Sequence, residues 1–378
     1  MQHRGKLIRL PANRVWRTYP GGRTLDQLAA RSTGGAGGRP SDPHLAEDWI
    51  ASTTRAVNRG REHLVEGVSQ VLVGHDPTPH DFAQLLASDP EYFLGAGHVR
   101  NYGAQPQLLV KFLDSGTRLH FQVHPTREFA QRVLGAPSGK TEAYYVLGVR
   151  SDDPPEPREA TGYIYVGFQR PPTPAQLRDW IVTQDIAAIE ACFDRIPVRA
   201  GDTFIIPGGT PHALGAGVFM VEIQEPSDLV VRFEFERAGY LLPEPARFMG
   251  REVDFALSVF NFAPLGPADL DRRVRCRPRR IREWSGDSYQ EELIGTAQTD
   301  CFRVCRTHLA APVVKDDNSA AIAIVTQGAV ICEAAGEPHR LDIYEKCFVP
   351  AGLGPVRYVP IGDAPAEILE CFPPSGKQ

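Results

Sequence analysis

Apolar runs cut short by glycine and proline constrain this chain more than any other feature: its 378 residues include 35 Gly and 33 Pro. Such punctuation fits many short strands joined by turns. Leu108–Leu113, Leu119–Val123, Glu142–Gly148 and Gly162–Phe168 read as strands, and Gly201–Pro207 as a turn feeding another. Val218–Gln224 and Leu229–Phe235 follow, the second alternating Val231, Phe233 and Phe235 with Arg232, Glu234 and Glu236. Thr78-Pro79 and Thr173-Pro174 each set an N-cap ahead of proline and predict helical insertions over about 78–95 and 173–195. Gly34-Gly35-Ala36-Gly37-Gly38 reads as a flexible loop.

A break at Phe262–Pro267 divides the chain into units 1–265 and 266–378. The second is expected to be smaller and all-β, with its clearest strands at Ala320–Val325, Ala329–Glu333, Cys347–Pro350 and Ala366–Phe372. "GDTFIIPGG" from Gly201 and "EKCFVPAGLG" from Glu345 are weakly alike, which suggests two related barrel units. The expectation is a mainly β protein.

Hydrophobic and charged contents of 42% and 23% are those of a soluble globular protein. A net charge of −5 argues against a broad nucleic-acid footprint. The run Arg272, Arg273, Arg275, Arg277, Arg279, Arg280 and Arg282 reads as a solvated linker or interface. No apolar run reaches the roughly 20 residues that cross a bilayer, and Met1–Lys6 lacks the apolar stretch of a secretory signal, so a cytoplasmic address is expected. Seven cysteines, none before Cys192 and none in a CxxC pair, argue against a disulfide scaffold or a thiolate zinc site.

The chemistry concentrates in three segments. Gln122-Val123-His124-Pro125, Gly139-Lys140-Thr141-Glu142 and Thr210-Pro211-His212 supply an amide oxygen, two imidazoles and a carboxylate. Gln122 and His124 are two residues apart and would share a strand face. Glu142 and His212 border further strand-like runs, so a barrel could gather all four around one divalent metal. Each residue alone reads as an ordinary surface or hydrogen-bonded group; four beside turn punctuation favour a site. A nitrogen and oxygen donor set suits a catalytic Zn²⁺ with an open position, ahead of Mn²⁺ or Fe²⁺.

Lys140 would share the strand face of Glu142, either as a solvated lysine in a Gly-Lys turn or as a group that relays protons or holds an anionic oxygen. Arg232 either bridges to Glu234 and Asp228 or holds a phosphate or enediolate oxygen. His120 makes a row with Gln122 and His124. It could be a fifth ligand, a partner to a ligand, or a substrate contact.

At these residues the chain resembles the type I phosphomannose isomerases, the shorter bacterial members most closely. The similar segments are "LLVKFLDSGTRLHFQVHP" from Leu108, "GKTEAYYVLG" from Gly139, "GDTFIIPGGTPHALGAGVFMVEIQEPSDLVVRFEFE" from Gly201 and "VPAGLG" from Val349. The resemblance implies a cupin-type β-barrel, a jelly roll with helical insertions, followed by a smaller cupin-like β domain. It implies a zinc site at Gln122, His124, Glu142 and His212, and interconversion of mannose 6-phosphate and fructose 6-phosphate through a cis-enediol. Lys140, Asp228 and Arg232 then become candidate catalytic residues, and Lys111, His120 and Arg232 candidate substrate contacts. The expected partner is a sugar or sugar phosphate, not nucleic acid or membrane, and the chain is expected to be a monomer or homodimer.

The chain departs from the family's pattern in three places. His120 stands where the family usually has serine, Thr126-Arg127 follows His124-Pro125 in place of acidic or amide residues, and "AEDWIAST" from Ala46 carries Asp48 in place of serine. Such changes around an expected pocket fit altered substrate choice. Alternatives are an isomerase of an unphosphorylated or differently phosphorylated sugar, a sugar-binding cupin without turnover, and a metal-dependent oxygenase. The second β unit offers no comparable ligand set, with His339 and Cys347 reading as isolated.

Overall fold

The computed structural model describes residues 3–33, 42–150 and 161–375, and the glycine-rich stretch Gly34–Gly38 lies outside them. The chain is mainly β, as expected, with 33% strand and 18% helix. Most of its strands form two stacked pairs of antiparallel sheets, with the hairpin Glu236–Arg237 and Tyr240–Leu241 as a separate two-stranded sheet.

The first pair is a seven-stranded sheet and a five-stranded one. The larger runs in the order Arg275–Cys276, Thr203–Ile206, Glu142–Val149, Val218–Gln224, Leu109–Asp114, Glu47–Ile50 and Arg14–Val15. The smaller runs Ile196–Pro197, Tyr163–Val166, His212–Leu214, Gln122–Val123 and Val231–Arg232. Between them pack Tyr144, Val146, Phe204, Ile164, Leu214 and Met220. The opposite face of the larger sheet, through Phe112, Tyr145, Val221 and Ile223, packs on Ile322, Phe348 and Leu369 of the second pair. Burial on both faces explains why Val218–Gln224 reads as a near-continuous apolar run rather than an alternation.

The second pair is a nine-stranded and a four-stranded sheet. The nine-stranded sheet is not built from the C-terminal chain alone. Ile8–Arg9 lies between Lys346–Val349 and Gln70–Val73 and is hydrogen-bonded to both.

The helical insertion expected over 173–195 is present as Pro174–Thr183 and Ile186–Glu190. Thr173 forms a capping box with Gln176, and Gln184 in the left-handed region separates the two helices. Leu177, Ile181 and Ile189 cover the outer face of the five-stranded sheet. The earlier insertion begins later than Thr78 predicts. His80–Asp81 pairs with Gln70–Val71, and it is the Asp81 carboxylate that accepts from Gln84 N to start the helix Phe82–Ser88. Pro90–Leu94 and Ala96–Tyr102 continue it.

Two expected strands are shorter than their sequence patterns. Leu119–Val123 and Leu229–Phe235 contract to Gln122–Val123 and Val231–Arg232. At one end the buried Glu234 carboxylate takes the Phe121 N–H at 3.0 Å, a donor that a ladder would otherwise use, while holding Arg118 at 2.6 Å; at the other His124 Nδ1 donates to Leu229 O. The arginine run is an exposed face laced with carboxylates, Arg277 to Asp271, Arg279 to Glu292 and Arg282 to Asp317 among them. Among the described residues no helix is long and apolar enough to cross a membrane.

Candidate metal centre and active site

The three motif segments are held together by backbone packing. Gly209 N donates to His124 O at 2.6 Å, and Lys140 N to Pro125 O at 3.0 Å. A Cβ on Gly139 would lie 2.4 Å from Arg127 N, and one on Gly208 2.7 Å from Thr126 Cα. Any side chain at either position would drive the segments apart. Register does the rest, setting His212 and Arg232 on either side of Gln122 in the five-stranded sheet.

His124, Glu142 and His212 converge in the space between the sheets and are all buried. Glu142 Oε2 lies 3.2 Å from His124 Nε2, and Oε1 lies 3.1 Å from His212 Nε2. Each imidazole is fixed from behind: His124 Nδ1 donates to Leu229 O at 2.8 Å and His212 Nδ1 to Thr210 O at 2.8 Å. That leaves both Nε2 lone pairs pointing at the carboxylate, the arrangement ligating histidines adopt. Four donors around a tetrahedral zinc would stand about 3.4 Å from one another, so the spacing fits such an ion with little movement. Gln122 Nε2 is 3.1 Å from His212 Nε2, and a half-turn of the amide would present its oxygen instead. The four residues singled out in the sequence are therefore brought together.

Lys140 sits against the same donors, with Nζ 2.9 Å from His124 Nε2 and 3.0 Å from Glu142 Oε2. Burial, then the Lys140 ammonium, holds the His124 pKa down to about 3. Burial would push Glu142 up, but Lys140, His124 and His212 outweigh it and keep the carboxyl well below its usual range. Tyr144 donates its hydroxyl to Glu142 Oε1.

A cavity opens from this cluster, lined by Arg17, Lys111, His120, Glu222 and Arg232 among others. Lys111 Nζ lies 3.4 Å from both Glu47 and Glu222. His120 directs Nδ1 to Glu234 O at 3.2 Å, and its buried Nε2 has no hydrogen-bond partner among the described residues. Arg232 does not bridge to Glu234 or Asp228, because Arg118 takes the first and Arg17 the second. Its guanidinium is buried on the cavity wall, where it donates to Ala246 O at 3.3 Å, and burial lowers its pKa to about 10. Asp228 is placed differently from the catalytic role expected of it. Arg17 holds both its oxygens, at 2.9 and 3.0 Å, and Val57 N–H adds a third bond, so it orients Arg17 rather than facing the cavity.

Sequence reasoning missed Arg17, Glu47 and Glu222. Glu47 is tied to Arg17 at 3.3 Å and to Trp49 Nε1 at 2.6 Å. Glu222 lies opposite both Lys111 and Tyr144 in the sheet, and burial raises its pKa to about 7 despite Lys111 and Lys140. The available signal was a lone charge inside an apolar run, as in Val218–Gln224.

Two of the three departures from the family pattern do not touch the cavity. Asp48 binds Lys346 Nζ at 2.8 Å on the far side of its sheet. Thr126 caps a short helix, and Arg127 reaches Glu225 at 2.8 Å and Asp300 at 3.2 Å. The expectation that all three cluster around the pocket is corrected; His120 alone lines it.

No family model matches the chain. A mannose-6-phosphate isomerase of Streptococcus mutans is 36% identical over 131 residues, 34% of this chain and 37% of that protein. Mannose-6-phosphate isomerase ManA of Bacillus subtilis is 30% identical over 131 residues, 34% of this chain and 38% of that one. The matched segment thus spans well under half the length of these relatives. Solved structures match far more of the chain. The mannose 6-phosphate isomerase of Bacillus subtilis superposes with a TM-score of 0.70 over 97% of this chain and 99% of that one, at 19% identity. A phosphomannose isomerase variant from Salmonella typhimurium gives 0.67 over 98% and 99%, at 14% identity. Over nearly its whole length, then, this chain has the cupin-type fold of the phosphomannose isomerases.

Proposed function

We propose that this protein is a metal-dependent aldose–ketose isomerase that interconverts mannose 6-phosphate and fructose 6-phosphate, with zinc as its ion. One observation carries the reading: two imidazoles, each locked by a backbone carbonyl, aim Nε2 at one buried carboxylate beside Lys140, with Arg232 on the adjoining wall. The named activity of the aligned relatives supports the substrate class. Charge supports it independently. With Glu222 ionised, four cations, Arg17, Lys111, Lys140 and Arg232, are balanced by Glu47, Glu142, Glu222 and Asp228. Adding a divalent cation leaves an excess of two positive charges, which a phosphate dianion neutralises.

Gln122, His124, Glu142 and His212 would hold the ion, which when bound stabilises negative charge developing on the substrate's C1 and C2 oxygens. Glu222, poised near neutral pH on the cavity wall, takes the proton from C2 and returns it at C1 on the same face, as a cis-enediol requires. Lys140 holds or hands over the proton between the two oxygens. Arg232, a cation with no carboxylate to satisfy it among the described residues, offsets the enediolate charge. Asp228 keeps Arg17 in place at the cavity edge.

The test is conversion of mannose 6-phosphate in deuterated water. Metal-loaded protein is expected to form fructose 6-phosphate, lose activity to a chelator and regain it with Zn²⁺; a loaded protein that converts none would end this reading. A second reading, an isomerase of an unphosphorylated sugar, is favoured by His120 and by the engagement of Arg17 and Lys111 with carboxylates. Parallel kinetics on mannose and mannose 6-phosphate decide between them, and a large preference for the free sugar would favour the second. The unit from about residue 266 is proposed as a supporting β domain. A cytoplasmic setting is proposed with it, supported by seven buried, unpaired thiols that a reducing compartment preserves.

A further inference from the structure

His339 is not isolated. It lies on the strand Glu337–Leu341 of the four-stranded sheet, and the turn after Gln70–Val73 lays His75 over it. The two imidazoles stack with centroids 4.3 Å apart and planes 22° from parallel. Glu337, at the start of the same strand, brings Oε1 to 3.5 Å from His75 Nε2. One donor atom from each residue falls within 4.8 Å of the other two.

The three differ in exposure in a way that suits a binding site. The His75 side chain is 61% exposed and Glu337 29%, so both can turn to meet a ligand. His339 is 4% exposed, and its buried Nε2 has no hydrogen-bond partner among the described residues. A buried nitrogen without a partner is costly, and a stacked neighbouring ring does nothing to relieve it. A cation that takes this lone pair would.

We propose that His75, Glu337 and His339 form a second metal site, separate from the cavity, for an imidazole-preferring divalent ion of the zinc, nickel or copper class. Two imidazoles and one carboxylate are a borderline-soft donor set that favours these ions over Mg²⁺ or Ca²⁺. The site joins the strand Gln70–Val73 to the hairpin Val330–Leu341, so the ion acts as a staple between segments far apart in sequence. Lys6 and Arg9 bear on the same site and repel a cation. Arg9 is engaged, its Nε donating to Gly74 O at 2.6 Å. Their charge makes this the weaker of two sites.

The experiment is a Zn²⁺ titration of the full chain with bound metal counted per chain, alongside Co²⁺ absorption spectra. Wild type is expected to bind two equivalents and His75→Ala one, with a weakening of at least tenfold at the site altered. His124→Ala/His212→Ala should also bind one, and in that background Zn²⁺ should raise the melting temperature, an increase that His75→Ala removes. His75 is exposed, so its replacement leaves the fold intact; His339→Gln checks the buried ligand. One equivalent in wild type, or two in His75→Ala, would overturn the proposal. The double variant keeps that outcome distinct from any failure of the isomerase reading.

Discussion

Between the seven- and five-stranded sheets Lys140 lies beside Glu142; between the nine- and four-stranded sheets Lys315 lies beside Glu370. Both pairs are buried, yet their surroundings differ. Glu370 also accepts from Gln290 Nε2 at 2.9 Å and Thr307 Oγ1 at 2.6 Å, and Lys315 also reaches Asp317 at 3.1 Å. That network closes on itself. Around Glu142, besides Lys140 and Tyr144, the partners are imidazoles whose second nitrogens are already committed to carbonyls, and Arg232 nearby pairs with no carboxylate among the described residues. A buried charge pair therefore says little by itself; what marks a site is bonding capacity left pointing inward.

The contrast is sharpest under substitution. His212→Ala should abolish metal binding at the cavity and reduce isomerase turnover to background while costing the metal-free protein only about 1–3 kcal/mol in urea. Lys315→Met should do the reverse, leaving turnover and metal content intact but costing about 3–5 kcal/mol, because the buried Glu370 loses its counter-charge and keeps only the neutral donors Gln290 and Thr307. The double change Lys315→Met/Glu370→Leu should recover most of that loss. Similar effects of His212→Ala and Lys315→Met on both readouts would erase the distinction.

Smaller in energy, Arg232→Gln should lower kcat/KM by about 10²–10³-fold without loss of stability, since it removes a buried cation rather than breaking a pair. A variant that unfolds instead would make Arg232 structural. Last comes pH. Burial holds His120 down to about 4, whereas in the unfolded chain it titrates near about 6.5. The unfolded state thus binds the extra proton first, and stability falls as pH drops from about 6.5 toward 4, by up to about 3 kcal/mol. His120→Gln should flatten that part of the profile in urea melts taken across the range.

The residues legible in the sequence are those whose neighbours gave them away. Gln122, His124, Glu142 and His212 sit where strands meet Gly or Pro turns, and those same turns press the segments together through Gly139 and Gly208. Arg17, Glu47 and Glu222 have no such local signature. Arg17 meets Glu47 as an ion pair, and Lys111 links Glu47 to Glu222 across the row Trp49, Lys111, Glu222 and Tyr144, which pairing register creates and no short window contains. The same holds for His75 and His339, whose contact depends on two distant segments reaching one sheet edge. Strand lengths failed for a related reason: the Glu234 side chain competes for a backbone donor, and periodicity carries no trace of that. The helix at 78 failed because a strand pairing with Gln70–Val71 took its first residues.

The strand Ile8–Arg9 leaves the ribosome long before its neighbour in the sheet, Lys346–Val349. Until both exist, the sheet they share keeps a bare edge on each side of the gap, a surface prone to pair with the wrong chain. Completion of that sheet therefore waits on synthesis of Lys346–Val349, and a polypeptide severed near residue 265 would give two fragments, each missing a strand that only the other can supply.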